Sequence, residues 1–390
     1  MSEHKDNVPK IRFPGFTDAW EQRRLGELME ISSASRVHKE EWTEAGVPFF
    51  RSSDVVSAFK GLKNDRAFIS YELFEELSNK SGKVQENDLL VTGGGSIGIP
   101  YKVRNNEPLY FKDADLIWLK NSSLINSDFL YTFLITPVFR RYVGSITHIG
   151  TISHYTIEQA KATPIMMPEI EEQKHISQFF AQLDHHITLH QRKLNNVKKL
   201  KSGLLQKMFP KNGENFPEIR FPGFTDAWEL CELGKVVDVR SGKDYKHLSE
   251  GKIPVYGTGG YMLSVNEALS YDEDAIGIGR KGTIDKPYIL KAPFWTVDTL
   301  FYAVPRANND LNFVFNIFQR IDWKKKDEST GVPSLSKAAI NDIQILITKD
   351  EEQKTIGTFF THLDHLINLH QRKLEHLQEQ KKALLQQMFI

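Results

Sequence analysis

Two glycine-rich segments are the first candidates for a chemical site in this chain. GGGSIG at 93–98 and GIGRKG at 277–282 both fit the GxGxxG pattern that binds dinucleotide phosphates, and each follows a predicted strand. That pattern must open a helix, yet Pro100 and Pro287 follow within a few residues. We therefore predict two glycine turns in β-hairpins and no nucleotide site.

The serine and histidine candidates do not assemble a catalytic or metal site. GGSIG at 94–98 matches the GxSxG nucleophile elbow, but that motif needs a helix directly after its serine, Ser96. His362, Asp364 and His365 lie close together on a predicted helix, yet the matching position of an internal repeat holds Gln182. We expect these histidines to be solvated or to border a helix seam, and we predict no catalytic residue, no metal and no cofactor bound by this chain.

A larger set of side chains is suited to contact with a DNA duplex. Arginine, lysine and hydroxyl groups can bind phosphates or read base edges, and glycine turns let the backbone approach a ligand closely. The predicted DNA contacts in the first half of the chain are Arg36, Lys39, Arg51, Thr92, Ser96, Arg104, His148, Thr151, Ser153 and His154. Those in the second half are Lys243, Tyr245, Lys246, Tyr256, Thr258, Arg280, Lys281, Thr283, Thr330 and Ser334.

These candidates lie in two dissimilar segments, about 22–165 and 230–346, between repeated ones. IRFPGFTDAWE at 11–21 returns unchanged at 219–229. EEQKHISQFFAQLDHHITLHQRKL at 171–194 recurs as EEQKTIGTFFTHLDHLINLHQRKL at 351–374, with 17 of 24 positions identical. Because the first pair is 208 residues apart and the second 180, the intervening segment is 28 residues longer in the first copy.

The dissimilar segments predict two small mixed α/β domains. Strand-like runs occur as DLLVT (88–92), DLIWLK (115–120), KIPVY (252–256), AIGIG (275–279) and TLFYAV (299–304). GSIGIPYKV at 95 resembles GTIDKPYIL at 282, and GTISHYTIEQAK at 150 has a weaker counterpart in GVPSLSKAAIND at 331. The two domains therefore look like diverged versions of one module.

The second repeat predicts long helices, and its EEQK start places acidic residues at the positive end of the helix dipole. Apolar residues follow at alternating spacings of four and three, which is a heptad seam. The seam residues are Ile176, Phe180, Leu183, Ile187, Leu194, Val197, Leu204 and Met208, repeated as Ile356, Phe360, Leu363, Ile367, Leu374, Leu377, Leu384 and Met388. Polar residues enter the seam at His190 and Lys201, matched by His370 and Lys381. We expect a helix over about 172–208 to pair with its repeat, the alternatives being a helix packed on its own domain and a homodimeric coiled coil.

Composition excludes several classes of protein. Fifty basic and fifty acidic side chains cancel, so any nucleic-acid binding must come from local patches. The one cysteine, Cys231, excludes an internal disulfide and a cysteine-built zinc site, which fits a reducing compartment. No stretch approaches the roughly 18 apolar residues of a membrane span, and the charged start lacks the apolar core of a secretory signal. We expect a cytoplasmic protein that does not enter a membrane.

This organisation resembles that of the DNA-specificity subunits of type I restriction-modification systems. The resemblance covers nearly the whole chain and rests on the alternation of variable domain and long helix, on the FPGFTDAWE openings with Leu-Gly at 25 and 233, and on the EEQ-x-x-I helix starts at 171 and 351. It implies an α+β fold with a pseudo-twofold internal repeat and an antiparallel coiled coil of two spacer helices. The expected parts are a target recognition domain at 1–165, a spacer helix at 166–212, a second recognition domain at 213–346 and a second helix at 347–390.

The resemblance also implies function and partners. Each recognition domain would read one half of a split double-stranded DNA target, with the helices setting the gap between the halves. Members of this family have no catalytic site and bind two methyltransferase subunits, which use S-adenosylmethionine to methylate adenine. They can also recruit restriction subunits, which are motors and nucleases that use ATP and Mg. Two other functions remain open from the residues: a coiled-coil adaptor that binds proteins, and an enzyme that acts through the Ser96 loop.

Overall fold

The computed structural model describes residues 7–112, 116–147, 154–211 and 213–390, and the chain divides into two compact units. The first unit comprises Met1–Leu189 with Leu374–Ile390, and the second comprises His190–Lys373. Each unit therefore contains one variable domain, the start of the long helix that follows it and the end of the other long helix. No helix among the described residues has the length and apolar character needed to cross a membrane.

The first unit alternates short strands with short helices. Its strands are β1 (Glu21–Arg24), β2 (Ile31–Ser32), β3 (Trp42–Thr43), β4 (Val47–Phe50), β5 (Ala67–Ile69), β6 (Leu89–Thr92), β7 (Pro100–Lys102), β8 (Tyr110–Phe111), β9 (Leu116–Leu119) and β10 (Pro164–Met167). Its helices are α1 (Leu25–Leu28), α2 (Ser52–Phe59), α3 (Tyr71–Ser81), α4 (Ser127–Leu134), α5 (Pro137–Thr147), α6 (Ile157–Ala162) and the first part of α7 (Ile170–Lys207).

The second unit repeats this pattern with fewer helices. Its strands are β11 (Glu229–Glu232), β12 (Val237–Ser241), β13 (Glu250–Gly257), β14 (Gly260–Val265), β15 (Ala275–Gly279), β16 (Tyr288–Leu290), β17 (Trp295–Thr296), β18 (Leu300–Pro305) and β19 (Gln344–Ile347). Its helices are α8 (Leu233–Val236), α9 (Leu311–Arg320), α10 (Lys337–Asn341) and the first part of α11 (Asp350–Gln387). The strand-like runs of the sequence fall on β6, β9, β13, β15 and β18, as predicted, with residue 115 outside the described part.

The described strands of both units form corresponding sheets, one of which has a fourth strand, β3, in the first unit. The first has β1 paired with β10 and two four-stranded sheets in the orders β2-β9-β6-β7 and β3-β5-β4-β8. The second has β11 paired with β19 and sheets in the orders β12-β18-β15-β16 and β14-β13-β17. The pairings β6–β7 and β15–β16 are antiparallel, so both glycine turns connect hairpin strands as predicted. The α+β fold class is confirmed, and the two domains are versions of one module.

The long helices form an antiparallel coiled coil, with matching contacts in each unit. In the first unit Phe180 of α7 packs on Phe389, which follows α11, with 6.3 Å between ring centroids. In the second unit Phe360 of α11 packs in the same way on Phe209, which follows α7, at 6.2 Å. None of the predicted apolar seam residues is exposed, whereas Leu200 and Leu369, outside the seam, are 53% exposed. The heptad prediction is confirmed.

The polar residues of the seam find partners across the helices. Lys201 Nζ lies 2.6 Å from Asp364 Oδ1, and the matching Lys381 Nζ lies 2.6 Å from Asp184 Oδ1. The Nδ1 atoms of the matched histidines, His190 and His370, are 3.2 Å apart. Because each polar group meets a complementary one in this register, a shifted pairing would leave charged or polar groups against apolar side chains.

In each unit the repeated opening segment is bound to the start of the long helix by a partly buried arginine–glutamate ion pair, which we call the clasp. Arg12 donates from Nε and Nη2 to the two carboxylate oxygens of Glu172 at 2.7 Å each, and Glu172 is fully buried. Arg220 and Glu352 form the same bidentate ion pair in the second unit, with the same distances. Phe13 also packs edge-on against Phe179. The opening repeats because the same clasp is built in both units.

The EEQ sequence also ties each long helix to its variable domain. Gln173 Oε1 accepts a hydrogen bond from the backbone N–H of Asn126 at 2.9 Å. Gln353 Oε1 accepts one from the backbone N–H of Asp310 at 3.0 Å. Asn126 and Asp310 are the N-cap residues of α4 and α9, so one amide fixes the entry to a domain helix in each unit. The same contact therefore ties each variable domain to the long helix that follows it.

Candidate nucleic-acid interface

In the second unit, folding brings two predicted contact regions together. The glycine turn after β15 carries Arg280 and Lys281, and Lys281 forms a β-bridge with Ser334. The Gly282 N–H donates to Pro333 O, and the Leu335 N–H donates to Arg280 O, both at 2.9 Å. The turn and the loop before α10 therefore form one surface, although about fifty residues separate them in the sequence.

Buried backbone and a carboxylate fix the shape of this surface. A Cβ at Gly279 would lie 2.0 Å from Thr283 O, so only glycine allows the turn to close. Asp327 accepts hydrogen bonds from the backbone N–H groups of Ser334 at 2.9 Å and Ser329 at 3.0 Å. These bonds, chiefly the one from Ser334, lower the pKa of the Asp327 carboxyl. Because Asp327 accepts hydrogen bonds from the backbone of its own loop, it forms no ion pair with the described cations of the turn, Arg280 and Lys281.

Arg280 and Lys281 give this surface its positive charge. Both are exposed, and within the described part of the chain neither forms a salt bridge with a carboxylate. The Arg280 guanidinium lies over the Phe301 ring at 5.9 Å and makes one long contact of 3.4 Å with Asp298 O. Exposed cations beside a glycine turn are suited to phosphate binding or to guanine recognition.

The first unit has the same arrangement with different chemistry. The Tyr155 N–H donates to Gly93 O at 2.8 Å, which ties the loop before α6 to the glycine turn after β6. A Cβ at Gly94 would lie 3.5 Å from the ring of the exposed His154. Burial raises the pKa of the Tyr155 phenol, whose hydroxyl lies 2.5 Å from Thr163 Oγ1. The first unit thus offers a histidine and glycines where the second offers two cations.

Comparison of these connections corrects the alignment of the loops. Thr156 and Ser336 are the N-caps of α6 and α10, and each accepts a hydrogen bond from the backbone N–H three residues later. The structure therefore matches Thr156 with Ser336, whereas letter identity alone matches it with Lys337. The alignment by residue identity is wrong here because the N-cap hydroxyl determines where each helix begins, and threonine and serine both perform that role.

Two predicted contacts in the first unit have structural roles. Thr92 is fully buried, and its hydroxyl accepts from the Ile99 N–H at 2.8 Å and donates to Ser96 O. It closes the glycine turn and is not a DNA contact, which corrects that prediction. The Arg51 guanidinium donates to the Asp54 carboxylate at 2.9 Å and to Asp65 O at 2.6 Å, so it holds the start of α2.

The other first-unit candidates are exposed or partly exposed, or lie outside the described residues. Ser96 is exposed at the glycine turn, Arg104 is exposed after β7, and Lys39 is exposed between β2 and β3, where Arg36 also lies. Among the described residues, no hydrogen bond joins Arg36, Lys39 or Arg104 to the turn. His148, Thr151 and Ser153 lie outside the described residues.

The remaining second-unit candidates differ in their availability. Lys243 and Lys246 are exposed, and Tyr245 between them is half-buried against the cluster around Trp295. Thr330 is exposed and Thr283 is partly exposed. Thr258 lies in the β13–β14 turn, and the half-buried Tyr256 packs on Tyr288 with 6.1 Å between ring centroids. Tyr245 and Tyr256 therefore anchor their segments.

Sequence reasoning missed two exposed residues beside Thr258. Tyr261 is 63% exposed and Met262 is 49% exposed on β14. The signal was present in the letters GTGGYM, since a glycine turn followed by large apolar residues indicates a hairpin that displays them.

Comparison with known proteins gives concordant results. The type I restriction enzyme MjaVIII specificity subunit of Methanocaldococcus jannaschii is 23% identical over 352 residues, which cover 80% of each chain. The putative MjaX specificity subunit of the same organism is 22% identical and covers 98% of this chain and 95% of its own. The crystal structure of a type I S subunit from M. genitalium has the same fold, with a TM-score of 0.68, 18% identity, and coverage of 98% of this chain and 99% of its own.

The family itself is shown by a match to two segments of the chain. The type I restriction modification DNA specificity domain matches residues 17–199 and 225–379. Each match contains one variable domain, with its glycine turn and capped loop, and most of the long helix that follows. The chain belongs to the family of type I restriction-modification DNA specificity subunits.

Proposed function

We propose that this chain selects the DNA on which a type I restriction-modification complex acts, with each recognition domain reading one half of a split target. The observation that carries the proposal is the surface of glycine turn and capped loop, which occurs in both units. Its chemistry differs between the units, with Arg280 and Lys281 in one and Gly93, Gly94 and His154 in the other. Two domains with the same frame but different exposed side chains are suited to reading two different half-sites.

The long helices would set the gap between the half-sites. Each contains 38 residues, which correspond to a rod of about 57 Å at about 1.5 Å per residue. The ion pairs of the two seam lysines, Lys201 with Asp364 and Lys381 with Asp184, support this function because they oppose slippage of one helix along the other. A gap of constant length requires such a fixed register.

The expected partners follow from the family. We propose that the chain binds two methyltransferase subunits and restriction subunits in the cytoplasm and is itself non-catalytic. S-adenosylmethionine, ATP and Mg would be bound by those partners. The balanced charge of this chain, fifty basic against fifty acidic residues, suggests that firm DNA binding needs the assembled complex.

A map of methylated adenine in the source cell, with the gene intact and deleted, tests the proposal. We expect one motif, two short specified blocks around a fixed unspecified gap, to lose its methylation on deletion. As a control, the deleted gene is restored from a plasmid, which should return the same motif. If restored and deleted cells carry identical maps while the methyltransferase partners are expressed, the chain does not direct methylation and the adaptor function gains support.

A further inference from the structure

The two units carry different connections at one equivalent place in the fold. Phe49 in β4 pairs in parallel register with Tyr110, and Val255 in β13 pairs in the same way with Trp295. From Phe49 the chain advances eighteen positions, through α2, to reach its antiparallel partner Ala67. From Val255 it advances eight positions to reach Leu263. The second unit therefore has a tight hairpin where the first has a helix.

Internal contacts hold the tip of this hairpin in one conformation. Gly257 pairs with Gly260 across a two-residue turn, and Gly260 has a positive φ of 105°. The Tyr288 hydroxyl donates to Gly257 O at 2.6 Å, and burial raises the pKa of this phenol, so it remains a donor. A Cβ at Gly257 would lie 2.8 Å from Met262 Sδ, so Met262 folds across the glycine.

Tyr261 projects from this rigid tip. It is 63% exposed, and its ring meets Tyr256 edge-on with 6.4 Å between centroids. Its hydroxyl is already 3.1 Å from Ser264 Oγ, so the ring is the group presented outward. Segment 251–266 contains no carboxylate and carries one charge, Lys252. Glu250, the first residue of β13, lies at the end of the ribbon away from the tip, so an exposed aromatic ring on the carboxylate-free tip can approach a polyanion without local repulsion.

We propose that the β13–β14 tip enters the major groove of DNA and that the Tyr261 ring contacts the methyl group of a thymine. The inference rests on the proposed function and adds a specificity-determining residue to the second recognition domain. A two-stranded ribbon fits the width of the major groove. The thymine methyl is the apolar group that this groove displays, and an apolar side chain is its complement. Because the first unit has α2 at this place, the contact belongs to one half-site only.

The test uses the full chain assembled with its methyltransferase partners. Duplexes carrying the mapped motif are prepared with each thymine replaced in turn by deoxyuridine, which removes only the methyl group. The wild type should lose about tenfold in affinity or methylation rate at one position of one half-site. Tyr261→Ala should weaken the unmodified duplex by a similar factor and should show no further loss with deoxyuridine at that position. Tyr261→Phe should retain the wild-type pattern because it keeps the ring.

Tyr271→Ala is the matched control, since Tyr271 is a tyrosine of the same unit and is 58% exposed outside the hairpin. It should behave as the wild type does. The inference is overturned if no deoxyuridine position distinguishes wild type from Tyr261→Ala, or if that variant affects both half-sites equally. The deoxyuridine series on the wild type needs no variant, so misfolding of Tyr261→Ala cannot hide the result. If the wild type yields no split motif at all, the proposed function fails first and this inference falls with it.

Discussion

Arg12 and Glu172, 160 residues apart in sequence, form a bidentate ion pair in which both hydrogen bonds measure 2.7 Å. Its repeat, Arg220 with Glu352, has the same geometry. The carboxylates are 0% and 1% exposed, so each depends on its arginine for compensation of its charge. The clasp turns a repeated sequence into a repeated structural frame.

Removal of one partner of this clasp should destabilise the first unit strongly. We expect Arg12→Ala to lower the free energy of unfolding by about 3–5 kcal/mol, because it leaves the Glu172 carboxylate buried without a partner. Arg23→Ala is the control, since Arg23 pairs with Glu27 on the surface, where solvent screens the charges, and its loss should cost much less. Urea unfolding of the two variants checks this. Equal losses would show that the clasp contributes no more than a surface pair.

Gly357 should not tolerate a side chain, although it lies inside a helix. A Cβ there would be 2.2 Å from Asp310 Oδ1, which caps α9, so we expect Gly357→Ser to destabilise by about 1–3 kcal/mol. Gly203→Ser, in the other long helix and with nothing within 4 Å, should instead stabilise by a few tenths of a kcal/mol. Thermal unfolding should therefore shift in opposite directions. A shift in the same direction for both variants would contradict the close approach of Gly357 to the N-cap.

The histidine pair in the seam should behave as a unit. With the Nδ1 atoms 3.2 Å apart, one imidazole must donate and the other accept. We expect His370→Leu alone to destabilise by about 1–3 kcal/mol, because it removes the hydrogen bond that His370 forms with His190 across the two helices. Replacement of both histidines by leucine should recover that loss or exceed it. His365→Leu, on the exposed face of α11, is the control. Unfolding measurements check the coupling, which would be refuted if the effects of replacing His190 and His370 singly added up to the effect of replacing both.

The cations of the second glycine turn should contribute to the salt dependence of DNA binding. We expect the double change Arg280→Ala with Lys281→Ala to weaken duplex binding by the assembled complex and to reduce the slope of log K against log salt by about 2. Lys291→Ala is the control, since Lys291 is exposed in the same unit but pairs with Asp274. Titration by fluorescence anisotropy at several salt concentrations gives both quantities. An unaltered slope would remove these two residues from the interface.

A heptad inserted into both long helices should lengthen the gap in the methylated motif. Seven residues add about 10 Å to a helix and preserve the seam, which corresponds to at most about three base pairs at about 3.4 Å each. The insertions belong after His190 and after His370, where the seam histidines pair. A four-residue insertion, which breaks the heptad, should abolish methylation. An unchanged gap in the seven-residue variant would rule out the ruler function.

Much of the fold is predictable from the sequence because it depends on periodic patterns. Apolar residues at spacings of four and three determine which helix face is buried, and Ile176 and Ile356 are buried as expected. Glycine runs followed by proline exclude a helix, so both turns are recognisable as hairpins. The candidate site is less predictable, since exposure depends on neighbours that are distant in sequence. Thr92 has a hydroxyl suited to a DNA contact, but the backbone of its own turn uses that hydroxyl.

The sequence by itself determined the twofold repeat, the two long helices with their apolar seams and the divergence of the two domains, because these follow from recurring letters and helical spacing. Only the tertiary structure decided why the repeats recur, since the Arg12–Glu172 and Gln173–Asn126 contacts join segments far apart in the chain. It also placed Lys281 beside Ser334 and set the β13–β14 hairpin where the first unit has α2. Strand pairing brings such residues together, and no local pattern encodes which strands will pair.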